Sequence, residues 1–79
     1  MNEMIAQTED VLNGQEVNID IDGDKYVVGL YLRSKSEFTS KAFESRDAAL
    51  EVYLRLVTAI VKGEASYEER RGWLAQEAG

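Results

Sequence analysis

The sequence predicts one small α+β domain of order α-β-β-β-α-α: a short N-terminal helix, a three-stranded antiparallel sheet and two C-terminal helices. Three observations carry this. Met4, Ile5, Thr8, Val11 and Leu12 follow helical spacing. Apolar residues alternate with polar ones on both sides of "DGD". A long apolar run then stands between a serine and a glycine that read as a helix cap and a helix stop.

Each element has its own grounds. Asn2 can cap the first helix, residues 2–12, and Gly14 can end it. Glu9 and Asp10 then sit in the last turn, where carboxylates oppose the helix dipole. A locally disfavoured choice of that kind hints at function. In residues 15–21, Val17, Ile19 and Ile21 alternate with Glu16, Asn18 and Asp20, the pattern of a half-buried strand. Gly23 supplies the turn. The return strand, 25–33, turns Tyr26, Val28, Leu30 and Leu32 inward. "SKSE" is a second turn, and 38–44 is the third strand.

Ser45 caps a helix from Arg46 to Lys62, with Asp47 well placed in its first turn and Gly63 at its end. Its polar residues, Glu51, Arg55, Thr58 and Lys62, form one narrow stripe. So apolar a helix needs cover on its flanks, from other helices or from a second subunit. A homodimer through residues 46–62 is therefore one expectation. The last helix opens on a capping box, Ser66 and Glu69, and runs to about Glu77. Tyr67, Leu74 and Ala78 share a face, with Trp73 beside it. The expected core is Val17, Ile19, Ile21, Tyr26, Val28, Leu30, Leu32, Leu50, Tyr53, Leu54, Val57 and Ile60.

Composition narrows the chemistry. The 79 residues include no cysteine and no histidine. Disulfides and thiolate metal sites are excluded, and so are the commonest general base and the commonest neutral metal ligand. No apolar run is long enough for a membrane helix, and no signal-peptide pattern opens the chain, so a soluble cytoplasmic protein is expected. The serines read as turns and caps, and no glycine-rich phosphate loop is present. No enzyme, cofactor or metal is expected.

Charge is the informative feature. The net charge is -6. Residues 1–24 carry Glu3, Glu9, Asp10, Glu16, Asp20, Asp22 and Asp24 with no Lys or Arg, a segment charge of -7; the rest, with eight acids and nine bases, is +1. "DIDGDK" opens like a calcium loop, with Asp20, Asp22 and Asp24 at positions one, three and five. The likeness stops there: Lys25 stands where the loop needs glycine, and Tyr31 where it needs a bidentate glutamate. A three-stranded sheet followed by a helix has the outline of sheet-based DNA readers of plants. Those need a basic face, and the first strand here is acidic, so direct nucleic-acid binding is not expected.

The remaining reading is an acidic protein-binding surface. Glu16, Asn18, Asp20 and Asp22 project from one strand face, with successive side chains about 6.6–6.8 Å apart. That spacing is comparable to successive phosphates along a nucleic-acid strand. Asp24 continues the binding row, Glu9 and Asp10 extend it where the first helix packs against the hairpin, and Tyr31 and Val27 supply apolar anchors on the same face. The partner would be a protein with a basic nucleic-acid-binding surface, and the field would steer association and make it salt-sensitive. The plainer alternative is a solvated sheet face that keeps the protein soluble.

The segments "MNEMIAQTEDVLNG", "YVVGLYLRS" and "FESRDAALEVYLRLVTAIVKG" give the chain an outline that resembles the small phage-encoded anti-CRISPR inhibitors, in particular a type II-A group. The resemblance implies a non-catalytic protein that blocks an effector nuclease where it reads DNA. In this chain the acids fall in the first hairpin, whereas that group carries them after the third strand. "IDGDKYVVGLYL" with "FESRDAALEVYLRLVTAI" is similar instead to the sheet-plus-helix domain of HicB-type antitoxins, without that family's central Pro-Gly segment. That likeness implies an oligomeric module that binds a toxin.

Overall fold

A computed structural model describes residues 2–76. The order is β1 (Asn2–Asp10), β2 (Gln15–Asp22), β3 (Lys25–Leu32), β4 (Glu37–Phe43), α1 (Arg46–Lys62) and α2 (Tyr67–Gln76). A single 3-10 turn, Arg33–Lys35, joins β3 to β4. The four strands form an antiparallel meander in the order β1-β2-β3-β4. The expected N-terminal helix and three-stranded sheet are thus corrected to β-β-β-β-α-α.

The correction has a physical cause. Val17 and Ile19 in β2 are completely buried, and the outer edge of so deeply set a strand must pair its backbone N–H and C=O groups. β1 supplies that pairing, from Asn2 opposite Asp22 to Asp10 opposite Gln15, with one irregularity between Met4 and Ala6. The helical spacing of Met4, Ile5, Val11 and Leu12 buries nothing: all four side chains are exposed. Ala6, Thr8 and Asp10 face the helices instead, and Thr8 and Tyr53 of α1 share a hydrogen bond between hydroxyls 2.8 Å apart. Gly14 has positive φ, as a helix stop would, but uses it to close the β1–β2 turn.

Elsewhere local chemistry agrees with the fold. Ser45 Oγ accepts from the Ala48 N–H at 3.3 Å, and Gly63 ends α1 in the left-handed region. The Ser66–Glu69 capping box forms in both directions, at 3.1 and 3.2 Å. The expected end of the last helix at Glu77, and Ala78 on its face, lie outside the described residues.

Both helices lie on one face of the sheet. The core between the layers is Val17, Ile19, Val28, Leu30 and Phe43 from the strands, with Ala49, Val52, Tyr53 and Leu56 from α1 and Tyr67 and Leu74 from α2. Leu54, expected in the core, points to solvent at 57% exposure. α1 uses its 49/52/53/56 stripe against the sheet, one helical face away from Leu54. Its flanking Leu50, Val57 and Ile60 are half-buried. No described element covers the other face of the sheet.

Candidate functional site: the open face of the sheet

Strand pairing decides which side chains share the open face. Glu9 pairs with Glu16, which pairs with Tyr31, which pairs with Phe38. The next row is Gln7, Asn18, Gly29 and Ser40. The third is Met4, Asp20, Val27 and Ala42, and Asp22 lies beside Lys25 beyond it. Side chains two apart along a strand project to the same side. The open face therefore collects Glu9, Glu16, Asp20 and Asp22 on β1 and β2, and Tyr31 joins them from β3.

The acids at the Glu9–Glu16 end have no base in their row, while Asp22 stands opposite Lys25 at the other end. Glu9 and Glu16 stand directly opposite each other, and like charges in that relation are destabilising. Asn18 is buried, and its side-chain N–H donates to Asp20 Oδ1 at 3.0 Å, which orients that carboxylate. Within the four strands the only base on this face is Lys25. It is ion-paired with Glu44, whose hydrogen bond raises its pKa above the ordinary lysine value. Asp24 is exposed in the β2–β3 turn at the end of the acidic row. Among the described residues no group of three or more acidic side chains is arranged to hold a metal ion.

Asp10 is the exception among the expected site residues. Period two puts it on the helix-covered face, where it is buried. Its Oδ2 accepts from Arg70 Nη1 at 2.8 Å and from Asn13 Nδ2 at 2.8 Å, and its Oδ1 from the Asn13 backbone N–H at 3.3 Å. Burial alone pushes the carboxyl up. The hydrogen bonds from Arg70 and Asn13, with the Arg70 charge, outweigh it and hold the pKa below the ordinary aspartate value. Asp10 is therefore a structural group and not part of the acidic surface.

Arg70 is a side chain that sequence reasoning does not single out. Its side chain is fully buried. Nη1 also donates to Gln15 Oε1 at 2.8 Å, and Nη2 to the Glu64 carbonyl at 2.8 Å. One guanidinium thus ties together β1, β2, the α1–α2 linker and α2. The available signal was spacing: Tyr67, Arg70 and Leu74 stand at i, i+3 and i+7 of one helix face. Arg71 does lie at the surface, 3.0 Å from Glu37.

Sequence reasoning also missed Phe38. It is 55% exposed on the open face. A Cβ built on Gly29 would stand 2.6 Å from Phe38 Cζ and 2.7 Å from Asn18 Oδ1, so the phenyl ring lies over the glycine. Among the described residues no helix is long and apolar enough to cross a membrane. Comparison with known protein families, with curated proteins and with solved structures finds no match.

Proposed function

We propose that this protein is a non-enzymatic inhibitor that binds a protein with a basic nucleic-acid-binding surface, as anti-CRISPR inhibitors do, through the acidic half of its open sheet face. One observation carries the reading: Glu9, Glu16, Asp20 and Asp22 stand side by side on an uncovered face whose only strand base, Lys25, is taken up by Glu44. The like-charged Glu9–Glu16 pair costs stability, and such a cost is understandable where the field itself is used. A rigid sheet holds the carboxylates in fixed rows, so little ordering remains to be done on binding. The reading rests on this face and not on the anti-CRISPR outline, because residues 2–10 are a strand where that outline implies a helix.

The test is DNA binding and cleavage by a guide-loaded type II-A effector nuclease. The protein should block DNA binding at low salt, and the block should weaken as salt rises. The variant Glu16→Gln/Asp20→Asn/Asp22→Asn should not block. Full cleavage in the presence of excess wild-type protein would remove the anti-CRISPR assignment.

A second reading, an oligomeric antitoxin-like module, is favoured by one observation. Leu54 and Val61, seven residues apart on α1, are 57% and 78% exposed. It requires a dimer or larger at micromolar concentration, dispersed by Leu54→Glu. A monomeric solution mass would rule it out.

A further inference from the structure

The open face is acidic on one half only. The β3–β4 half carries Val27, Tyr31, Phe38 and Ala42, with Phe38 lying over Gly29. β2 alternates apolar and polar residues, as a strand with one wet side does. β3 does not. Its sequence, KYVVGLYL, is apolar on both sides, which is the pattern of a strand with a layer on each face. α1 and α2 supply one layer, and no described element supplies the other.

The chemistry of the missing layer follows from the surface. The face of a sheet offers no free backbone donors or acceptors, because the strands have paired theirs. An extended chain laid on it would leave its own peptide groups unpaired, whereas a helix satisfies them internally. Four strands span about 14 Å, and a helix with its side chains is about 10–12 Å wide. The partner's charge is set by Glu16 and Asp20, which face Tyr31 and Val27 across the β2–β3 ladder, with Glu9 behind Glu16 on β1 and Asp22 opposite Lys25 at the end of the row.

We infer that the open face receives an amphipathic basic helix of the partner protein. Its apolar side lies on Val27, Tyr31 and Phe38, and its Lys and Arg side lies over Glu9, Glu16, Asp20 and Asp22. This rests on the proposed function and names the element by which the partner is held. Like the helix layer on the other face, the contact would join an apolar stripe to a sheet.

Three synthetic peptides of about 18 residues, roughly 27 Å as helices, provide the test. One is a Leu/Lys amphipathic helix, one has the same composition scrambled to remove the apolar stripe, and one is all lysine. Binding to the intact protein is measured by titration calorimetry and by amide NMR shifts. The amphipathic peptide should bind about tenfold or more tighter than either control, with the largest shifts at Val27, Gly29, Tyr31 and Phe38. Phe38→Ser should cut that advantage about tenfold while leaving lysine-peptide binding unchanged. Val27→Thr, a milder change, guards against a folding defect in the first variant.

Equal affinity for all three peptides, or shifts confined to Leu54 and Val61, would overturn the inference. Absence of amphipathic-peptide binding would do so as well. If the peptides bind alike yet all weaken in Glu16→Gln/Asp20→Asn/Asp22→Asn, the helix inference fails while the acidic reading stands. If that variant binds every peptide as wild type does, the acidic reading fails with it.

Discussion

Glu9 and Asp10 are neighbours in the chain and opposites in environment. Glu9 is exposed on the open face, opposite Glu16 and without a counter-ion in its row. Asp10 is buried on the covered face, held by Arg70 and Asn13. One residue of strand separates a carboxylate that the fold tolerates from one that the fold requires. Charge counted along a sequence cannot distinguish the two, because in a strand each step of one residue changes the face. On the covered face the Asp10–Arg70 charge is paired and structural; on the open face the Glu9–Glu16 charge has no base in its row.

Removal of Arg70 has the largest expected effect. Arg70→Ala leaves Asp10 buried without its partner, and the loss of one member of a buried pair costs about 3–5 kcal/mol. In a domain this small, that is a large share of total stability. The urea midpoint should fall sharply, and Arg70→Lys should recover only part of it, since lysine lacks the fork that reaches Gln15 and Glu64 together.

Acid gives the next effect. Because the folded-state pKa of Asp10 is depressed, its contribution to stability is fully present above the unfolded value of about 4. It is lost as pH falls through the folded value. Unfolding followed from pH 7 downward should show an acid-labile component that Asp10→Asn lacks.

Gly29→Ala is smaller, about 1–2 kcal/mol, because the new methyl group collides with Phe38 and Asn18. The exposed ring can swing away, so the same change should also strip the apolar cover from the open face. Smallest of all, and opposite in sign, is Glu16→Gln. Relief of the Glu9–Glu16 repulsion should raise stability by a few tenths of a kcal/mol, read as a small upward shift of the urea midpoint.

The parts of the fold legible in the sequence were those that local chemistry settles. The strand at Val17–Ile21, the Gly23 turn, the Ser45 cap, the Gly63 stop and the Ser66–Glu69 box all formed as read, but Asn18 is buried on the open face and Ile21, expected in the core, is only half-buried. The misreading at residues 2–12 came from a conflict between local pattern and tertiary need. Five residues fit a helix, but β2 needed a partner at its outer edge, and pairing took precedence over spacing. A warning was present: Glu9 and Asp10 at a helix C-terminus are unfavourable, while in a strand they cost no dipole energy.

The candidate site was legible in its β2 row, Glu16, Asp20 and Asp22, and in Tyr31, because period two was read correctly there. Asp10 was assigned to the wrong side because its face depends on β1 being a strand. Arg70 was hidden because its partners, Asp10 and Gln15, lie 60 and 55 residues away. Phe38 was hidden because its role depends on Gly29 of the neighbouring strand.

The covered face holds the fold together, and the open face is proposed to bind the partner. The most direct measurement is capture from a nuclease-treated cell lysate by immobilised wild-type protein and by Glu9→Gln/Glu16→Gln/Asp20→Asn/Asp22→Asn, matched for urea midpoint. The wild type alone should retain a nucleic-acid-binding protein, and added duplex DNA or salt should release it. Capture of the same protein by the neutralised variant, with equal yield and equal resistance to DNA, would contradict the proposed binding.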